Sequence, residues 1–113
     1  MKIIVDTHTH TLASGHAYST IQEMALAAKE RGMEAICFTE HAPMMPGSCS
    51  NFYFQNFRII PRERWGIRTL FGAELNIMNE KGELDLPQAV ISKLDLAIAS
   101  IHMPCYKGEF TKD

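Results

Sequence analysis

Each of the five histidines in the chain follows an apolar run or sits in the loop behind one. His8 and His10 form a His-x-His pair directly after Ile3-Ile4-Val5, and His16 lies in the loop beyond. His41 closes Phe38-Thr39-Glu40-His41 after a second apolar run. His102 closes Ser100-Ile101-His102 after a fourth, while the third run ends in an acid, Glu74. Imidazole with carboxylate suits zinc, manganese and iron, and magnesium alone would not choose so many histidines. Ligands delivered by successive strands to one end predict a shared polynuclear metal centre. Residues two apart on a strand share a face, so His8 and His10 can aim at one ion. By the same spacing Asp6 is expected on that face, as a ligand or as the acceptor that fixes one. Glu74 has two oxygens and can bridge two ions, and His16 with His41 could hold a further one. Glu40 is expected to orient a ligand or to move a proton. Ions so held lower the pKa of bound water toward ~7 and neutralise charge on a phosphoryl oxygen, which predicts hydrolysis.

Taken singly, each residue has an ordinary reading. His16 is a loop residue, His41 and His102 precede X-Pro turns, and Glu74 could be a salt-bridge partner. The joint placement at matching points of a strand series is what favours a common site.

The elements that must position these residues follow from apolar runs and their punctuation. Ile3 to Asp6 predicts a short buried strand. Thr20 to Arg31 predicts a helix, because Ile21, Met24, Ala25 and Ala28 recur at helical spacing and Gly32 supplies the stop. Ser19 with Gln22, or Thr20 with Glu23, would form its capping box. Further strands are expected over Ala35–Thr39, Arg68–Ala73 and Leu96–Ser100. Asn76 to Leu86 predicts a small hairpin turning at Asn79–Gly82, and Pro87 opens a short helix through Lys93. The long stretch from Ala42 to Pro61 carries Phe52, Tyr53, Phe54 and Phe57. It reads either as a pocket wall or as a surface loop anchored by aromatics. Near-continuous apolar strands alternating with helices predict an α/β fold of parallel strands with covering helices. Ligands then collect at the carboxyl ends of the strands.

Composition narrows the partners. A length of 113 residues allows one domain at most. A formal charge of −2 gives no pull toward nucleic acid. No apolar stretch approaches a membrane span, and the first residues do not form a signal peptide. The three cysteines show no framework spacing, so free thiols in a reducing cytoplasm are expected. Cys37 is expected in the core; Cys105, three residues after His102, has a ligand spacing that suits structural zinc better than an open site.

Several segments together resemble the polymerase-and-histidinol-phosphatase (PHP) superfamily, nearest its bacterial YcdX-like phosphatase branch. They are Asp6-Thr7-His8-Thr9-His10-Thr11, Ser14-Gly15-His16-Ala17-Tyr18-Ser19-Thr20, Phe38-Thr39-Glu40-His41, Gly72-Ala73-Glu74-Leu75-Asn76-Ile77, Gly82-Glu83-Leu84-Asp85 and Ser100-Ile101-His102. The resemblance implies a distorted TIM-like barrel of seven strand–helix units with up to three divalent ions and phosphoesterase activity. It assigns His8 and His10 to a first metal, Glu74 as the bridge to a second, His102 to that second, and His16 with His41 to a third. It covers the first four strand units, so residues 1–113 are expected to be a partial PHP domain, the N-terminal half of such a barrel. The family's later strands bring another histidine and an aspartate–histidine pair; after His102 this sequence holds no histidine and only Asp113 as an aspartate.

The expected function is therefore a metal-dependent phosphoesterase acting on a small phosphorylated substrate, with Arg58, Arg62, Arg64 or Lys107 as candidates to hold its phosphate. Two alternatives stand beside it. One is an amidohydrolase-like metal hydrolase, whose barrels also open with His-x-His; the other is a non-catalytic metal-binding fragment. Half a barrel would leave strand edges unpaired, and self-association through them is expected.

Overall fold

The computed structural model describes residues 1–109; Asp113 lies outside the described residues. In chain order the elements are β1 (Val5–Thr9), α1 (Ile21–Glu30), β2 (Ala35–His41), α2 (Asn51–Gln55), β3 (Glu63–Arg64), β4 (Ile67–Asn76), α3 (Gln88–Ile91) and β5 (Leu96–Ser100). Short 3-10 turns occupy Leu12–Ser14 and Asn56–Ile59. β1, β2, β4 and β5 lie side by side and all parallel, in the order in which the chain supplies them. β3 adds a two-residue antiparallel pairing at the start of β4. This is the curved parallel sheet with helices of a partial TIM-like barrel; the apolar runs predicted its parallel strands, and the family resemblance implied the barrel.

The two central strands are buried along almost their whole length, whereas β5 alternates half-buried and exposed residues. Paired residues of parallel strands share a face, so Ile36, Phe38, Thr69, Phe71, Ala73 and Leu75 point together toward the helices. There Phe38 and Phe71 are fully buried, their ring centroids 5.5 Å apart, with Phe57 5.3 Å from Phe71. Each such side chain contributes ~1.5–3 kcal/mol by leaving water. Ala25 and Ala28 of α1 complete this core. The other face carries Leu70, Gly72, Glu74 and Asn76 of β4, next to Cys37, Thr39 and His41 of β2. A β-carbon on Gly72 would lie 2.0 Å from the Leu96 carbonyl oxygen, so β5 can approach only a residue without a side chain.

α1 begins at the predicted capping box. Thr20 Oγ1 accepts from the Glu23 N–H at 3.1 Å, and the Glu23 carboxylate accepts from the Thr20 N–H at 2.9 Å. That pairing holds the Glu23 carboxyl below its ordinary pKa. Gly32, at φ 82°, ends the helix.

Several expectations are corrected. The first strand starts at Val5 rather than Ile3 and continues through Thr9; Ile3 and Ile4 are exposed, because β1 is an edge strand whose beginning no element among the described residues covers. β2 and β4 run two and three residues past their apolar segments, ending at His41 and Asn76. The expected hairpin over Asn76–Leu86 is present in minimal form, turning at Asn79–Gly82 with Ile77 bridging Leu84 antiparallel and the Met78 N–H donating to the Glu83 carbonyl at 2.7 Å. Asp85 adds a hold on its base, its carboxylate accepting from the Asn76 N–H at 2.8 Å. The stretch from Ala42 to Pro61 divides between its two readings. Phe54 and Phe57 are buried anchors while Phe52 is exposed. Its first part abuts the loop that bears His16: a β-carbon on Gly15, at φ 84°, would lie 2.1 Å from the Gly47 carbonyl oxygen.

Candidate metal centre

Glu74 stands at the middle of the site, 5% exposed near the carboxyl end of β4. Its Oε1 lies 2.8 Å from His8 Nε2, 3.0 Å from His10 Nε2 and 3.6 Å from His41 Nδ1. Its Oε2 lies 2.9 Å from His102 Nε2. Four imidazoles from three other strand ends thus surround one carboxylate. The fifth ring joins by contact: His16 stands edge-on to His41 with centroids 4.7 Å apart, and His41 stacks on His10 at 4.3 Å. Two sets have donor atoms within 4.8 Å of one another: His8, His10 and Glu74, and His41, Glu74 and His102. His16 belongs to neither set.

The protons on two of these rings are dictated by their surroundings. Ser14 Oγ donates its single proton to Glu40 Oε1 at 2.8 Å and accepts from the His41 N–H at 3.0 Å. Its remaining capacity is as an acceptor, so His10 Nδ1, 3.1 Å away, carries the ring proton. His10 Nε2 is then a bare lone pair facing Glu74. His102 Nδ1 meets the Asn76 side-chain oxygen at 2.6 Å, so it too donates and leaves Nε2 bare, again facing Glu74. A lone pair and a carboxylate oxygen at about 3 Å repel one another unless a cation lies between them. His41 Nδ1 is buried with no hydrogen-bond partner among the described residues. A buried orphan nitrogen of this kind is costly without a ligand to bind. The donor set therefore fits divalent metal ions.

Electrostatics agree. Burial, reinforced by the neighbouring His10 and opposed by Glu74, pushes the His41 pKa down to about 4, so its imidazole is neutral and free to donate at neutral pH. Burial also lowers that of His10. For Glu74 burial pushes upward, but hydrogen bonds from His8 and Ser100 and the charge of His41 outweigh it, and the net shift is downward.

Asp6 and Glu40 take different places from the rings. The register between β1 and β2 slips between Asp6 and Thr9, a bulge of one extra residue. That slip overturns the two-residue alternation, and Asp6 lines the hollow beneath α1 with Met24, Ala28 and Ile36 instead of sharing a face with His8 and His10. Its carboxylate accepts from the His8 N–H at 3.1 Å. Glu40 is fully buried on the face of β2 opposite His41. Its oxygens take Ser14 Oγ, the Thr11 N–H at 2.8 Å and the Thr11 hydroxyl. It thus fastens the loop that carries Ser14. The Cys105 thiol donates to the Met44 carbonyl at 3.2 Å, burial raises its pKa, and it joins neither ligand set.

The cations considered for phosphate divide similarly. Arg62 is held by Asp95 at 2.7 Å and by the Phe57 and Ile60 carbonyls, and lies over the Phe71 ring. Arg64 stacks on Trp65 and pairs with Ile67 at the start of β4. At ~3.3 Å per residue that is about 23 Å along the strand from Glu74. Arg58 borders a cavity of about 310 Å³ with Phe54, Phe57, Val90 and Lys93, under the helices. Lys107 donates its backbone N–H to Met78. Sequence reasoning gave no role to Ser14, Asn76 or Asp85. Asn76 lies two residues after Glu74 on the same strand face, and that spacing was the available signal.

Parallel strands with histidines and one acid gathered at their ends are what the resemblance to the PHP domain implied for its first strand units, and the model of that family matches residues 6–113. The chain belongs to this family. Among its relatives, a probable phosphatase of Thermoanaerobacter sp. (strain X514) is 50% identical over 107 residues, covering 95% of this chain and 44% of that protein. A probable phosphatase of Caldicellulosiruptor bescii is 47% identical over all 113 residues, 47% of its own length. One from Vibrio parahaemolyticus is 52% identical over 107 residues, 95% of this chain and 43% of that protein. The chain thus spans somewhat under half the length of the curated relatives it matches. No helix among the described residues is long and apolar enough to cross a membrane.

Proposed function

We propose that this protein serves as a metal-dependent phosphoesterase that hydrolyses a small phosphomonoester. The observation that carries this reading is the Glu74 carboxylate ringed by imidazole nitrogens, two of them left without a proton to face it. The names of the relatives supply the reaction class.

His8, His10 and Glu74 would hold one ion, and Glu74 with His102 and His41 another; His16, beside His41, would serve a third. Zinc or manganese, with iron as a further candidate, suits imidazole and carboxylate together. Such ions, when bound, bring the pKa of water toward ~7 and neutralise phosphoryl charge. The chain's own residues prepare the place. Ser14 holds the His10 ring by its Nδ1, Glu40 holds Ser14, and burial keeps His41 neutral. Residues 1–113 would supply the first four strand units of the PHP domain. The free edges of β1 and β5, each paired on one side only among the described residues, would favour self-association. A monodisperse monomer in light scattering would count against that last point.

The test is hydrolysis of a chromogenic phosphomonoester by metal-stripped protein, before and after addition of manganese or zinc. Metal-restored turnover is expected. Hydrolysis of amides but not phosphate esters by the metal-loaded protein would overturn the reading in favour of an amidohydrolase-like reaction.

A further inference from the structure

Asp85 comes from the turn between β4 and α3, outside the strand ends that furnish the rings. Its two oxygens can only accept. Oδ1 takes the Asn76 N–H at 2.8 Å, and Oδ2 takes the Asn76 side-chain NH₂ at 2.6 Å and the Met44 N–H at 2.9 Å. Asn76 is fully buried, so its amide has no water to turn toward. Flipping it would put its oxygen against Asp85 Oδ2, acceptor against acceptor. The amide is therefore locked with NH₂ toward Asp85 and oxygen toward His102 Nδ1, 2.6 Å away.

We propose that Asp85 is a positioning residue of the metal centre: through the Asn76 amide it selects the His102 tautomer protonated at Nδ1, leaving Nε2 bare beside Glu74. The chain of command runs Asp85 to Asn76 to His102, and each link is one hydrogen bond whose direction the previous link fixes. The same carboxylate grips the Met44 N–H, and so ties the segment after β2 to the end of β4. The inference rests on the metal reading above and adds a residue that touches no ligand directly.

Replacing Asp85 by Asn supplies one oxygen and one NH₂ where the site asks for two acceptors. The Asn76 amide can then reverse, offering its NH₂ to His102 and forcing that ring to the Nε2-protonated form. In the metal-free protein at about pH 8, where ordinary imidazoles are neutral, ¹⁵N shifts of labelled histidine rings should show His102 protonated at Nδ1. In Asp85→Asn the proton should move to Nε2, and zinc affinity, read by competition with a chromogenic chelator, should fall roughly 10- to 100-fold. Asp85→Glu, which restores two acceptors, should recover the original tautomer. Should Asp85→Asn fail to fold, Asn76→Ala removes the acceptor while sparing Asp85, and should give a mixture of tautomers. An unchanged tautomer in Asp85→Asn, or in Asn76→Ala where Asp85→Asn does not fold, would overturn the proposal, even with weakened zinc, because packing alone would then explain the loss. The ring shifts are read without metal or substrate, so failure of the phosphoesterase reading would leave this result standing, and the reverse.

Discussion

His10 and His102 are held from behind, and His8 and His16 are not. The first two are largely buried, at 20% and 18% side-chain exposure, and each donates its Nδ1 proton to a partner that is itself fastened, Ser14 by Glu40 and Asn76 by Asp85. His8 is 49% exposed, and among the described residues its ring has one hydrogen-bonding partner, Glu74. His16 is exposed, and its ring contacts among the described residues are with His10 and His41. Rings gripped at one nitrogen present the other in a fixed direction and tautomer. Among the described residues, rings at the rim lack that hold at the second nitrogen. The centre thus combines a rigid inner pair with an adaptable outer pair, and Glu74 touches members of both.

Glu74→Gln should remove that distinction altogether. One oxygen becomes an NH₂, and zinc affinity should fall by more than the roughly hundredfold that loss of an outer contact costs. Chelator competition measures this, and hydrolysis should drop to background.

Ser14→Ala attacks one gripped ring only. It strips a partner from His10, the His41 N–H and Glu40 at once. Zinc binding should weaken about tenfold, and urea denaturation should show a loss of about 1–3 kcal/mol. Retention of both values would break the comparison.

Acid should act on the buried part of the cluster before the rest of the fold. His41 titrates near 4 in the fold against 6.5 unperturbed, so between those values the unfolded chain binds more protons. Stability of the metal-free protein should therefore be full above about pH 6.5 and decline as pH falls toward 4. Denaturant midpoints across that window check the sign.

His8→Ala should have the smallest effect on the fold, within about 0.5 kcal/mol, as expected for an exposed side chain, while still weakening zinc. If its midpoint falls as far as that of Ser14→Ala, the rim and the interior do not differ as described.

The strand series was legible because β2, β4 and β5 are announced by Ala35–Phe38, Leu70–Ala73 and Leu96–Ala99, whose burial needs parallel neighbours. Their polar extensions were not. Glu40 and Asn76 are buried because loops from elsewhere bring hydrogen-bond partners to them, Thr11 and Ser14 to the one and Asp85 to the other, and hydropathy carries no trace of that. Ile3 and Ile4 show the opposite failure, apolar residues at an edge that the described residues leave exposed. The convergence of five rings and Glu74 was legible from their shared position relative to the apolar runs. The turning away of Asp6 was not, since one inserted residue in β1 reverses every later side chain and leaves no compositional mark.

At Gly15 the loop bearing His16 touches the Gly47 carbonyl with bare backbone. The gap between those two loops is consequently a dimension of the main chain, indifferent to most side-chain replacement around it. Neighbouring residues are free to vary in shape and charge while the spacing of the two loops stays constant, and Gly15→Ala would push the two main chains apart.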